Sequence, residues 1–157
     1  MWGGKITTFR KLAEEAADLL AGPLQAGNGA WTSGAPLPGG DLPRAAGADV
    51  VAQFEAFVQA LAMRYSHIAP ATRRRLARGY GSRVDAVLKG GLGAEVAPGL
   101  YECELYYLHA NEWARNADDV LWRRTKLGLH YTADERAAVA AWCSAHWGEC
   151  PAHAALT

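Results

Sequence analysis

An all-α fold, a small bundle of about five to seven helices with a long Gly/Pro-rich loop, is what this sequence predicts. Three observations carry it. Apolar residues recur at helical spacing in several separate segments. Capping residues and Gly or Pro stops bracket those segments. No internal repeat and no βαβ unit interrupts the pattern.

The first stripe is Phe9, Leu12, Ala13, Ala16, Leu19 and Leu20, spaced as one face of a helix. Thr7 or Thr8 can cap its start, and Gly22-Pro23 is expected to end it. The stretch from Gly22 to Gly47 is rich in Gly, Pro and Ala and contains PLPGGDLP, residues 36–43. A second helix is expected from Asp49 to Ser66, with Val50, Phe54, Phe57, Val58, Leu61 and Tyr65 on one face. Pro70 separates it from a shorter helix, Thr72 to Tyr80, closed by Gly81. Ser82 is a fair cap for another reaching Leu88, and Gly90-Gly91-Leu92-Gly93 is a break.

Tyr101 to Trp113 can be read as strand or helix, because Tyr is common in strands. Its length and the spacing of Tyr101, Leu105, Leu108 and Glu112 favour helix. Asn116 then caps a helix through Lys126, with Asp118 and Asp119 at its positive start and Arg123, Arg124 and Lys126 at its negative end. Asp119 and Arg123 form an i, i+4 pair, and Gly128 is a natural residue just past the end. Leu121 and Trp122 are expected in the core. The last helix begins at Thr132, whose capping box with Glu135 pairs two amides. It presents Val139, Trp142, Cys143 and His146 on one face and stops at Pro151.

Composition narrows the function. The 157 residues carry 16 basic and 16 acidic side chains, a formal net charge of zero. That balance argues against a nucleic-acid partner. No apolar run is long enough to span a membrane, and the first residues lack the apolar core of a secretory signal. Three cysteines, Cys103, Cys143 and Cys150, are too scattered for a disulfide framework. A cytoplasmic, reducing setting is the simplest reading.

Several constellations invite chemistry and mostly have plainer readings. Cys143, His146, Cys150 and His153 use zinc-ligand types, but at no standard spacing and across Pro151, so no metal is expected. Gly91 to Val96 lacks the third glycine and the preceding strand of a dinucleotide fingerprint. Glu102 and Glu104 lie two apart and do not face each other, so they make no acid–base pair. Arg73, Arg74, Arg75 and Arg78 fan around a helix and are expected to be mostly solvated. Such a cluster can also attract anionic lipid, which makes peripheral contact with the inner membrane face a partner reading. At the end of the Asn116 run, Arg123 or Arg124 is the residue placed to reach a ligand.

The start, WGGKITTFRKLAE, places two glycines and Lys5 ahead of a helix. Glycine permits close backbone approach, and a helix start offers unpaired amides and partial positive charge to an anion or an electron-rich ring edge. It is no Walker loop, because the upstream residues of that motif are absent.

Taken together, GGKITTFRKLAE resembles the last flavin-contacting segment of the FAD-dependent glycerol-3-phosphate dehydrogenases, the aerobic dehydrogenase and alpha-glycerophosphate oxidase family. PLPGGDLP, YGSRVDAVL, YECELYYLHANEWARNADDVLWRRTKLGL and TADERAAVAAW resemble that family's C-terminal helical domain, in the same order. The resemblance covers nearly the whole chain. It implies oxidation of glycerol 3-phosphate to dihydroxyacetone phosphate, with electrons passing through FAD to quinone. It also implies a division into 1–22 as a remnant of the flavin domain, 23–46 as a linker loop and 47–157 as a cap-like helical domain.

Gly3, Gly4, Lys5, Thr7 and Thr8 then belong to the rim of the flavin and substrate site. Lys5 offers charge to substrate or flavin, and the Thr7-Thr8 helix start faces the isoalloxazine edge. The part that grips the ADP half of FAD is not in these residues, so the isolated chain is expected to be inactive and without bound FAD, and no catalytic residue is assigned within it. Its expected partner is the flavin domain of the same polypeptide, and the exposed docking face makes a homodimer a second expectation. The competing reading is a free-standing helical protein-interaction module.

Overall fold

The computed structural model describes residues 5–26, 29–43 and 49–147. The chain divides into two compact units, residues 1–37 and 38–157.

In the first unit a 3-10 turn, Ile6–Thr8, leads into helix α1, Phe9–Leu24. The helix runs one turn's edge past Gly22-Pro23, and Gln25 stops it in a left-handed conformation, φ 50°. Proline is tolerated there because only a single carbonyl near the helix end loses its donor. Neither threonine caps α1 with its side chain. Thr8 instead donates its hydroxyl to Lys5 O at 2.8 Å, closing the 3-10 turn. The unit is tied by Thr32, whose hydroxyl donates to Glu14 at 2.5 Å while Arg10 bonds the same carboxylate at 2.8 Å. Glu14 is the one buried residue of α1. The expected stripe is largely exposed: Phe9, Leu19 and Leu20 all face solvent, and only Leu12 and Ala16 are half-buried.

The second unit holds helices α2 (Val50–Arg64), α3 (Pro70–Tyr80), α4 (Val84–Val87), α5 (Glu102–Asn111) and α6 (Ala133–Trp147). Asp49 caps α2 by accepting from Ala52 N at 2.7 Å. Phe57 and Leu61 are buried, with Phe54, Val58 and Tyr65 packed beside them. Val50 does not join that face: it is 81% exposed, because the first turn of α2 projects past the core. Pro70 begins α3 rather than preceding it, a position where its missing N–H costs nothing.

Ser82 does not cap the next helix. Its hydroxyl donates to Asp41 and its amide to Gly39 O at 3.1 Å. Gly39 and Gly81 both have positive φ, and a Cβ on Gly81 would sit 1.9 Å from Gly39 O. The PGGD segment therefore lies directly on Tyr80-Gly81-Ser82, a backbone contact only glycine admits.

A short antiparallel hairpin, β1 (Glu95–Ala97) and β2 (Leu100–Tyr101), precedes α5. The sequence reading contains no such hairpin, although Pro98-Gly99, with Gly99 at φ 72°, is an ordinary turn signal. Strands of three and two residues give too little alternation to read. Tyr101 ends β2, so the helix begins one residue later than expected. Leu105 and Leu108 are fully buried in it. Trp113 follows in the left-handed region, φ 55°, a conformation unfavourable for a bulky side chain. Backbone bonds to Leu108 O from Glu112 N at 3.0 Å and Ala114 N at 3.1 Å hold the chain there.

The Asn116 run departs from a plain α-helix. Asn116 caps as expected, accepting from Asp119 N at 3.0 Å, and Arg123 meets Asp119 at 2.7 Å. Asp119–Arg124, however, is a π-helical turn. Thr125 N bonds Val120 O at 3.0 Å, and the Thr125 hydroxyl donates to the same carbonyl at 2.7 Å. The wider turn buries both Val120 and Leu121.

Lys126, not Gly128, takes the left-handed position after it, φ 61°. Gly128 is buried in a 3-10 turn, Leu127–Leu129, with the Trp122 ring so close that a Cβ would lie 2.8 Å away. Its absent side chain makes room for the indole. The Thr132–Glu135 capping box forms as expected, at 2.7 and 3.3 Å. Within α6, Val139 and Cys143 are buried, and burial pushes the Cys143 thiol up to about 12. His146 is exposed and stacks on Trp142 at 4.1 Å. Cys150 and His153 lie outside the described residues.

Gly128→Ala is expected to destabilise the chain by about 1–3 kcal/mol, because an indole wedged against backbone cannot shift as a flexible chain end would. Denaturant unfolding measures this. An unchanged midpoint would show that Trp122 has room to move.

Candidate functional site

Of the five residues expected at a cofactor rim, Gly3 and Gly4 lie outside the described residues. Lys5, Thr7 and Thr8 are brought together by the 3-10 turn, and all three are exposed. Lys5 is extended, φ −64° and ψ 143°. Thr8 spends its hydroxyl proton on Lys5 O. The leading amides of such a turn have no partner within the helix. Beside them Ile6 is 86% exposed. The segment thus presents one cation, a helix start and an apolar flank.

The second unit contains the strongest polar cluster among the described residues. Glu104 is 1% exposed on α5. Arg75 of α3 holds it with two bonds, at 2.7 and 2.6 Å, and donates to Gly99 O at 2.5 Å. The Tyr80 hydroxyl completes the set at 2.7 Å. Burial, reinforced by the Glu104 charge, pushes the Tyr80 phenol far above its ordinary value. Burial opposes the charge on Arg75, yet its bonds to Glu104 leave the guanidinium above its ordinary value. Local spacing in the sequence cannot show that Glu104 has a partner 29 residues away. Its place on the same face as Leu108 was the available signal.

The arginine cluster is not mostly solvated, which corrects the expectation from sequence. Arg73 donates to the carbonyls of Tyr65, Ser66 and Ile68, at 3.0, 3.3 and 2.7 Å. Arg74 grips Glu55 with two bonds, at 2.8 and 2.6 Å. Three adjacent guanidiniums are therefore committed to three different structural contacts. Glu102 is equally committed, accepting from Ala94 N at 2.9 Å and Trp142 Nε1 at 3.0 Å.

Among the described residues, two of the cavities of the second unit lie beside these groups. One, of about 430 Å³, runs beside the glycine-rich break and α5, and Glu102, Cys103, Tyr106 and Asn111 are among its lining. Burial pushes the Cys103 thiol up to about 11, so it is no ready nucleophile. The other, of about 240 Å³, is lined by Arg75, Arg78, Tyr80, Glu104, Glu112 and Arg124, with Gly79 and Thr125. Among the described residues no cluster of three or more His, Cys, Asp or Glu is placed to hold a metal.

Residues 30–148 match the family described as the C-terminal domain of alpha-glycerophosphate oxidase. A glycerol-3-phosphate dehydrogenase of Pseudomonas aeruginosa is 42% identical over 142 residues, 87% of this chain and 26% of that protein. A D-erythritol 1-phosphate dehydrogenase of Brucella abortus is 41% identical over 147 residues, 90% of this chain and 28% of that protein. The aerobic glycerol-3-phosphate dehydrogenase of Escherichia coli is 37% identical, over 90% of this chain and 28% of that protein. The chain spans about a quarter of the length of these relatives. With the matched family covering the entire hairpin, the Glu104 network and all of α6, this chain belongs to the C-terminal domain family of alpha-glycerophosphate oxidase.

Proposed function

We propose that this chain is the C-terminal part of an FAD-dependent glycerol-3-phosphate dehydrogenase. The observation that carries the reading is the exposed apolar face of α1 beside Lys5. Phe9, Leu19 and Leu20 are 64, 76 and 56% exposed on one face of α1, and a helix that leaves such a stripe uncovered is suited to packing on another domain. The relatives' names support the substrate class, a polyol phosphate. Their greater length supports a flavin domain as the partner, with residues 1–22 belonging to it, 23–46 linking and 47–157 forming the helical cap.

The residues fit one edge of such a site. Lys5 is exposed and supplies a point charge for the substrate phosphate or the flavin. The start of the turn at Ile6–Thr8 supplies amides for an electron-rich ring edge, which Thr7 and Thr8 would face, and Gly3 and Gly4 would permit close backbone approach. When bound, FAD supplies the hydride acceptor for oxidising the secondary alcohol to a ketone, with quinone downstream. The chain's own part is orientation and electrostatics. The proposed setting is the cytoplasm, with peripheral contact at the inner membrane face. Away from the flavin domain, the same apolar face would pair two copies of the chain.

The purified 157-residue chain is expected to be colourless and unable to reduce a dye with glycerol 3-phosphate. Flavin absorbance in that preparation would show that these residues suffice to hold the cofactor. The reading itself fails if the full reading frame carries no glycine-rich dinucleotide fold, or if its product oxidises neither glycerol 3-phosphate nor erythritol 1-phosphate. In that product Lys5→Met is expected to lower kcat/KM by roughly 10²–10³, the usual cost of losing one electrostatic contact to the reacting group.

A further inference from the structure

We infer that the cleft between Arg78 and Arg124 is a binding site for a small phosphate-bearing molecule. Its floor is electrically closed. Arg75 and Glu104 neutralise each other through two bonds, and the Tyr80 hydroxyl is donated to the same carboxylate. The charge left for a ligand therefore sits at the rim.

Two guanidiniums and one carboxylate are there: Arg78, Arg124 and Glu112. Both arginines are exposed and, among the described residues, neither meets a carboxylate. Their neighbours in sequence differ in this respect. Arg74 and Arg75 are spent on Glu55 and Glu104, and Arg123 on Asp119.

Arg124 is also aimed. Its Nε donates to Glu112 O at 2.8 Å. That bond fixes the plane of the guanidinium and leaves both terminal nitrogens for a ligand. The π-helical turn at Asp119–Arg124 sets where that side chain leaves the backbone, and such turns are frequent at functional sites. Thr125 closes the turn on Val120 O beside it.

Size and charge choose the ligand class. Drug-sized ligands occupy about 300–1,000 Å³. At about 240 Å³ this cleft falls below that range and suits a single phosphoryl group with a short substituent. Two guanidiniums against one carboxylate leave a surplus positive charge, and a planar guanidinium pairs two donors with two phosphate oxygens. The larger cavity offers no such match: among the described residues no Lys or Arg lines it.

The test uses the 157-residue chain and inorganic phosphate at pH 7.5, with sodium chloride holding ionic strength constant. Amide shifts of Gly79 and Thr125 in proton–nitrogen NMR spectra report on the cleft. Saturable shifts are expected. Arg78→Gln and Arg124→Gln should each weaken binding by about tenfold or more, the factor for losing one charge-assisted hydrogen bond. Arg123→Gln should leave binding unchanged.

Glu112→Gln removes the opposing charge while keeping the carbonyl that orients Arg124, so it should tighten binding. A purely structural role for these residues would not produce that gain. Arg78→Gln leaves the Arg124 bond intact and so remains informative if Arg124→Gln unfolds the chain. The inference is overturned by non-saturating shifts, by binding indifferent to Arg78→Gln, or by acetate binding as tightly as phosphate.

Discussion

A carboxylate stripped of water is tolerated in a core only when its charge and its oxygens are matched, and Glu104 is matched on every side. It lies fully buried on α5, as do Leu105 and Leu108. Arg75 reaches it from α3 and continues to the hairpin turn at Gly99, while Tyr80 reaches it from the end of α3. One side chain thus fixes the spacing of α3, the hairpin and α5. Leaving such a pair half-made is far costlier than never having it, because the remaining charge stays desolvated. That asymmetry binds three distant segments to one geometry.

The rest of the second unit follows from this placement. With α3 ending at Tyr80, the chain turns through Gly81, and the PGGD segment lies against it through Gly39. With α5 seated, Glu102 at its start can hold both Ala94 N and the Trp142 indole, which brings α6 alongside. Tyr131 adds a bond to Pro98 O at 2.8 Å, securing the hairpin from the far side. The π-helical turn then carries Arg124 to the cleft above the neutralised floor. Structure and candidate ligand site share residues, with Arg75 and Glu104 supplying rigidity and Arg78 and Arg124 left for recognition.

The proposed flavin rim and the cleft rest on different physics. The proposed flavin rim is a local feature: a lysine, a tight turn and an exposed apolar face, all within one short stretch. The rim gains meaning from the family, since Lys5 and a helix start are common on any surface. The cleft depends on residues 46 positions apart in the chain, Arg78 and Arg124, meeting through packing.

What the sequence determined by itself is whatever depends on neighbours a few residues apart. The Asn116 cap, the Asp119–Arg123 pair and the Thr132–Glu135 box are of this kind, and each is present in the structure. The ordered motifs also disclosed the family, because they are read as text. Only the tertiary structure decided which charges are spent. Arg73, Arg74 and Arg75 look alike in sequence and differ entirely in partner, and Glu104 looks like a surface residue until α3 is packed against it. It also decided that Gly128 serves the Trp122 ring rather than a helix end, and that Val120 and Leu121 are both buried by a π turn. The physical reason is range: propensity and capping act within a turn, whereas desolvation is set by whatever the folded chain brings from elsewhere.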